Sequence, residues 1–265
     1  MSDSEMHVIA FVDYLGFSAA VESPDSAART AILQQLQELA SLRGDFYAKQ
    51  LDPKRLSIRP AITTFSDNIV ISFPLTDLVR ETGKNSSDAM TTILSQLAKY
   101  IGRHAYRALR NGFLLRGGIT VGELYHANGV VFGKGLVDAY RLESTTAIYP
   151  RVILSPKVLE HVPYSQNIWL LRDADGLVHL NYFSDIFASF ASGNPTPENE
   201  EQAKVNWLAV ATIIAQQISK LHSAGKLNEL AKWRWLATQL QKFVSSVHVP
   251  HATALRSVQL PLLKV

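Results

Sequence analysis

Apolar positions recur along this chain in two periods, and the change of period divides it into strands and helices. Residues 8–12, Val-Ile-Ala-Phe-Val, are unbroken, short and β-branched, which predicts a strand buried on both faces. The stretches 56–65 and 68–73 form a second pair of strands, joined as a hairpin through Ser66-Asp67-Asn68. Pro60 predicts an edge or bulge in the first of these. Residues 114–125 predict a long strand bent at Gly117-Gly118, with 130–132 as its short partner. Residues 151–154 are a strand, and 167–171 pairs with 177–182 through the turn Asp173-Ala174-Asp175-Gly176.

Between these strands the period is helical. Residues 18–50 break and restart at Ser23-Pro24-Asp25, and Ile32, Leu33, Leu36, Leu39 and Ala40 mark a core stripe. Residues 81–87 read as a loop. Met90, Ile93, Leu94, Leu97, Ile101, Ala105 and Leu109 then predict a long amphipathic helix closed by Gly112. Gly133-Lys134-Gly135 opens another helix to about Ser144, and 156–161 is a short one. A polar, acidic stretch at 192–202 reads as a linker. A helical hairpin follows, 205–221 and 227–247, with Gly225 between the two helices. Val205, Leu208, Ala209, Thr212 and Ile213 form the predicted stripe of its first helix. Leu230, Trp233, Leu236, Leu240 and Phe243 form that of its second. The apolar tail from Pro250 to Val265 is expected to pack. This order predicts an α+β sandwich of ferredoxin-like kind, an antiparallel-rich sheet with helices on one face. It occupies residues 1–190; residues 191–265 are a linker and a C-terminal helical extension packing on it.

Composition narrows the function. The chain has 265 residues and is 47% hydrophobic, enough for a sizeable core. A net charge of +3, from 26 basic and 23 acidic residues, makes no case for nucleic-acid binding and suits an anionic substrate. Without cysteine there is no disulfide, thiolate ligand or Cys nucleophile. No apolar run has the length of a membrane span, and the polar start MSDSEMH is not that of a signal peptide, so a cytoplasmic protein is expected. The eight histidines lack metal-ligand spacing, so His7, His104 and His126 read as core or surface residues.

Two carboxylates carry the candidate chemistry. Asp13 ends the first apolar run, where a charge is costly unless paired, and a helix start beside it would offer free backbone amides. It either caps that helix or helps to hold a cation whose further ligand is a phosphate. Asp67 lies in the hairpin turn, where an Asp can serve a purely local role. In the predicted topology the two meet at one sheet edge, and two like charges that close are unfavourable without a cation between them. Arg116, inside an apolar strand, needs a partner: either a structural one such as Glu123 or a phosphate, which its guanidinium fork matches.

At this point the residues resemble a family. Phe11-Val-Asp13-Tyr-Leu-Gly16-Phe17-Ser, Phe65-Ser-Asp67-Asn, Leu115-Arg116-Gly-Gly-Ile119-Thr-Val-Gly122, and Phe132-Gly133 with Ala139-Tyr140-Arg141-Leu142-Glu143 are similar to class III nucleotidyl cyclases, in order from about residue 7 to 155. The resemblance implies that Asp13 and Asp67 bind two metal ions, Mn²⁺ or Mg²⁺, with the Tyr14 backbone carbonyl as a further ligand. It implies that Arg116 binds phosphate, that Phe17 contributes to the nucleotide site, and that Arg141 stabilises the transition state in the partner subunit's site. A homodimer with composite active sites follows. Arg141 also reads simply as a solvated helix charge beside Glu143.

Four positions depart from the family pattern. Val137 stands where Asn is usual, Thr63 and Val130 where base-reading residues are usual, and Asp175 where a phosphate-binding Lys is expected. The polar groups that read a purine edge are therefore missing. With the C-terminal helices, this resembles the bacterial antiphage (Pycsar) pyrimidine cyclases. Those make cyclic UMP or cyclic CMP from a pyrimidine nucleoside triphosphate and act through a separate effector that senses the product. Tyr47 is then a candidate for closing the pocket over a small base, or an aromatic packed on the sheet. Other readings are an adenylate cyclase, a degenerate cyclase fold that only binds nucleotide, and a polymerase-palm relative, the last disfavoured by the missing basic stripe.

Overall fold

The computed structural model describes residues 5–48, 60–162, 169–181, 183 and 197–246. The predicted strand start at 56–59, the linker residues 192–196, the tail 250–265 and the side chain of Tyr47 lie outside them. The described residues form an α+β fold around a mixed, mostly antiparallel sheet. Its strands are β1 (Glu5–Leu15), β2 (Ala61–Phe65), β3 (Asn68–Pro74), β4 (Leu114–Ala127), β5 (Val130–Phe132), β6 (Val152–Leu154), β7 (Leu170–Arg172) and β8 (Val178–Leu180). They lie in the order β2-β3-β1-β4-β6-β8-β7, with β5 paired to β4. Among the described residues every strand pairing is antiparallel except β4 with β6.

The central place of β1, between β3 and β4, explains its unbroken apolar run. Val8, Ile9 and Ala10 are fully buried, since both edges and both faces are covered. The helices are α1 (Phe17–Val21), α2 (Ser26–Ala48), α3 (Leu75–Thr82), α4 (Ser86–Arg110), α5 (Lys134–Arg141) and α6 (Pro156–Leu159), followed by α7 (Pro197–Ser223) and α8 (Leu227–Ser246). Asp25 caps α2, its Oδ1 accepting from the Ala27 N–H at 2.9 Å. Gly112 closes α4 at φ 82°, as a C-terminal glycine does.

The structure corrects several expectations. The residues after β3 form α3, which the sequence pattern did not predict; it buries Leu78 and ends at Gly83 in the left-handed region. Eight residues with one buried leucine are too short for a periodic signal. The buried face of α2 is set by Gln35 and Leu39, while Leu33 is exposed. A fully buried glutamine there is explained by its bond to the Tyr14 hydroxyl, Nε2 donating at 2.7 Å. Strand β4 runs unbroken through Gly117 and Gly118. The two glycines allow close approach: a Cβ on Gly117 would stand 2.6 Å from the Phe11 carbonyl oxygen, and one on Gly118 2.7 Å from that of Ala139.

The chain divides into two compact units, residues 1–98 with 114–181, and residues 99–113 with 182–265. In the second unit, α7 and α8 pack on each other. Residues 197–202, expected in the linker, are the first turns of α7. Pro197 starts the helix, and Glu198 and Glu201 follow where the helix dipole favours acids. Its buried stripe is Trp207, Val210, Ala211, Ile214 and Ile218; Val205 and Leu208 face solvent. Both stripes have helical spacing, and the larger Trp207 occupies the interior. All five residues expected on α8 are buried. No helix among the described residues is long and apolar enough to cross a membrane.

Candidate active site

The register of three strands assembles the site. Asp13 of β1 stands opposite Asn68 of β3 on one side and Arg116 of β4 on the other. Residues paired across a sheet share a face, so Asp13, Asn68 and Arg116 project together. Asp67 immediately precedes Asn68 in the two-residue turn between β2 and β3. The left-handed backbone position of that turn is held by Ser66, at φ 52°. Asp67 is therefore not needed for the turn's shape, which weakens the purely local reading. Its Oδ1 accepts from Asn68 Nδ2 at 3.2 Å.

Asp67 lies near enough to Asp13 for its charge to act on the Asp13 carboxyl. Burial, then the neighbouring charges of Asp67 and Glu143, push the Asp13 carboxyl up to about 7, against a smaller downward pull from Arg116. Arg116 lies between carboxylates but is held unequally. Its Nε is 2.5 Å from Glu143 Oε1, whereas its Nη2 is 3.5 Å from Asp13 Oδ2. The Glu143 side chain is only 3% exposed, and burial raises its carboxyl above the ordinary range despite Arg116. Glu123, considered as a partner for Arg116, is exposed.

Glu143 is the site residue that sequence reasoning missed. It was read as a surface neighbour of Arg141. The signal was its spacing: Gly135, Ala139 and Glu143 lie four residues apart, and the first two form the buried face of α5. A π-helical turn over Leu142–Thr146 continues α5 and carries Glu143 toward β4. The helix packs on the Asp13 face of the sheet because Gly118 and Gly122 leave room for it. It covers an apolar cluster of Ile9, Phe11, Val70, Leu124 and Ala139.

The other expected residues fall as follows. Tyr14 is buried on the opposite face, where its ring meets Gln35, so only its backbone is available to the site. Phe17, buried, starts α1 after Gly16, which takes φ 93°. Arg141 is exposed at the end of α5, and no ion pair among the described residues links it to the carboxylates. Tyr47 falls in α2, its side chain outside the described ones. Thr63 Oγ1 is 2.8 Å from His126 Nε2, and His126 Nδ1 is 2.9 Å from Ser72 Oγ. Val130 and Val137 are exposed, and Asp175 is engaged by Arg151.

Among the described residues no group of three or more His, Cys, Asp or Glu side chains has metal-site geometry. The donor chemistry nevertheless fits a divalent cation. Burial and the neighbouring carboxylates keep Asp13 protonated to about neutral pH, and a dication would let both Asp13 and Asp67 ionise. Asp13, Asp67 and the Tyr14 carbonyl are the groups that would hold it.

No family model matches this chain, and neither does any curated protein. Solved structures do. The catalytic core of a rhodopsin-guanylyl cyclase with converted specificity, in complex with ATPαS, is 14% identical with a TM-score of 0.43, over 68% of this chain and 97% of that one. The monomeric guanylyl cyclase domain of the RhoGC fusion protein from the aquatic fungus Blastocladiella emersonii is 15% identical with a TM-score of 0.42, over 67% and 95%. A bacterial light-regulated adenylyl cyclase is 16% identical with a TM-score of 0.34, over 68% and 52%. Likenesses this distant assign no chemistry, which rests on the side chains above.

Proposed function

We propose that this chain is a metal-dependent nucleotidyl cyclase that converts a pyrimidine nucleoside triphosphate, UTP or CTP, into its 3′,5′-cyclic nucleotide and pyrophosphate. One observation carries the reading: strand register sets Asp13 opposite Arg116 and opposite Asn68, the residue after Asp67, so two aspartates 54 positions apart in the sequence come together beside one guanidinium. In the reaction the nucleotide's 3′-oxygen bonds to its own α-phosphorus, the hydroxyl proton is lost, and the bond to pyrophosphate breaks. Mn²⁺ or Mg²⁺ held by the two aspartates, two ions per site, would lower the pKa of the attacking hydroxyl and neutralise the triphosphate. Arg116 offers its free guanidinium edge to the phosphates. Phe17 and Tyr47 are assigned to the nucleotide pocket.

Arg141 acts in the partner subunit's site, and the active species is a homodimer. Its exposed position on α5 supports this, as do the exposed apolar side chains of Phe65, Val130, Phe132, Val137 and Tyr140. The pyrimidine preference is supported by Thr63, whose hydroxyl is engaged with His126, and by apolar Val130, neither of which is a purine-reading charge. The product serves as a cytoplasmic second messenger in antiviral defence, read by a separate effector. Purified protein incubated with each of the four labelled triphosphates and Mn²⁺ tests the reading. Cyclic UMP or cyclic CMP is the expected product. Cyclic AMP alone would make the protein an adenylate cyclase, and no cyclic product from any triphosphate would leave a nucleotide-binding module.

A further inference from the structure

The unequal grip on Arg116 points to a role for Glu143. Arg116 is itself a cation facing the two aspartates, so it competes with any metal ion for Asp13. If its guanidinium closed on Asp13 as a two-bonded pair, it would occupy the oxygens that a metal needs. The structure shows the opposite arrangement. Glu143 holds Nε at 2.5 Å while Asp13 receives only a 3.5 Å approach from Nη2. Neither Nε nor Oε1 has a hydrogen-bond partner elsewhere among the described residues.

Glu143 can do this because its position is fixed. It comes from the π-helical turn, and the fit of α5 against Gly118 and Gly122 sets where that turn lies. A carboxylate attached to Nε also fixes the guanidinium plane, which leaves Nη hydrogens directed away from Glu143 for an incoming anion. We infer that Glu143 is a positioning residue: it holds Arg116 off Asp13, keeping the Asp13 carboxylate for a divalent cation and the outer guanidinium edge for phosphate. This rests on the cyclase reading only in taking Asp13 as a metal ligand.

The test measures Mn²⁺ binding to the full chain without nucleotide, following free Mn²⁺ by electron paramagnetic resonance. Glu143→Gln keeps the shape and releases Arg116, and should weaken Mn²⁺ binding at least tenfold. Removing Arg116 as well, in the double variant R116Q/E143Q, should bring binding back to within about threefold of the native chain. Glu143→Asp separates position from net charge. It keeps the charge but withdraws the oxygen by one methylene, so positioning requires a loss of threefold or more. Unchanged binding in E143Q, no recovery in the double variant, or native binding in E143D would each overturn the inference. Mn²⁺ binding that survives Asp13→Asn would remove the metal site itself, and this inference with it. In that case the triphosphate assay reports separately whether cyclisation occurs.

Discussion

Two arginines sit between carboxylates, half-buried Arg116 in β4 and buried Arg151 just before β6, and they are held in opposite ways. Arg151, 1% exposed, donates Nη1 to Asp173 at 2.9 Å and to Asp175 at 3.0 Å, and Nη2 to Asp175. Its guanidinium also lies 5.6 Å from the Tyr149 ring centre. The bond to Arg151 holds the Asp175 carboxyl below the usual carboxylate range. Arg116 has one close partner, Glu143, and a distant one, Asp13, and both of those carboxyls are pushed up rather than down. Around Arg151 one guanidinium bonds both carboxylates of the β7–β8 turn directly. Around Arg116 three carboxyls face one guanidinium, an arrangement that lacks positive charge. In the first cluster the carboxylates are bonded to their cation; in the second Asp13 is not, and the proposed dication would supply the missing charge.

Breaking the second cluster should have the largest effect on activity. Asp13→Asn is expected to lower nucleotide turnover by about a thousandfold or more, roughly 4 kcal/mol of barrier. The same change should stabilise the fold. The folded Asp13 titrates at about 7, above its ordinary 3.8, so between those values the folded state holds a proton that the unfolded chain has lost. Stability from this group is complete below about pH 4 and is lost as pH rises through 7. At pH 8, without added metal, Asp13→Asn should gain roughly 2–4 kcal/mol, seen as a higher Tm than the native chain. Equal Tm values at pH 8 would mean that the two aspartates do not strain the fold.

Breaking the first cluster should cost stability. Arg151→Met leaves Asp173 buried without its cation, and a loss of about 3–5 kcal/mol is expected in urea unfolding. A loss under 1 kcal/mol would put the two arginines in the same class. The buried histidines give an opposite pH signature. Burial lowers His104 to about 3 and His179 to about 4, so the unfolded chain binds protons first as pH falls below 6.5. Stability should therefore decline on acidification from pH 6.5 to 4, and by less in His104→Gln if that variant stays folded. Comparing the native chain with Asp13→Asn separates the two slopes.

The two clusters also differ in how far the sequence reveals them. Asp13, Asp67 and Arg116 were legible because each breaks a local pattern: a charge at the end of a strand, a polar turn, a guanidinium inside an apolar run. The central strand and its hairpin partner were legible for the same reason. Glu143 was not, since a glutamate near the end of a short helix is ordinarily solvated, and only the glycines of β4 bring that helix close enough to bury it. Arg151 was read only as the first residue of a strand, because its partners lie 22 and 24 positions away in a turn whose acids suit a turn anyway. The Thr63–His126–Ser72 chain is hidden similarly, spanning three strands. Helix faces misled where two apolar stripes competed, as on α7.

The smallest expected effect is the most discriminating about the first cluster. Asp175 stands where the cyclase resemblance expects a phosphate-binding lysine, and its side chain is 45% exposed. If the cluster is structural and already balanced by Asp173, Asp175→Asn should cost no more than about 1 kcal/mol, because water screens an exposed pair. It should also leave triphosphate KM within about twofold of native, since an acid held by Arg151 is no phosphate ligand. Asp175→Lys then asks whether a lysine at this turn can bind phosphate. The new ammonium would face the Arg151 guanidinium, and two like charges in contact should destabilise the turn by more than the neutral change does. A lysine variant that is as stable as the asparagine one and binds triphosphate more tightly would show that this turn borders the nucleotide. It would then have to be counted with the second cluster.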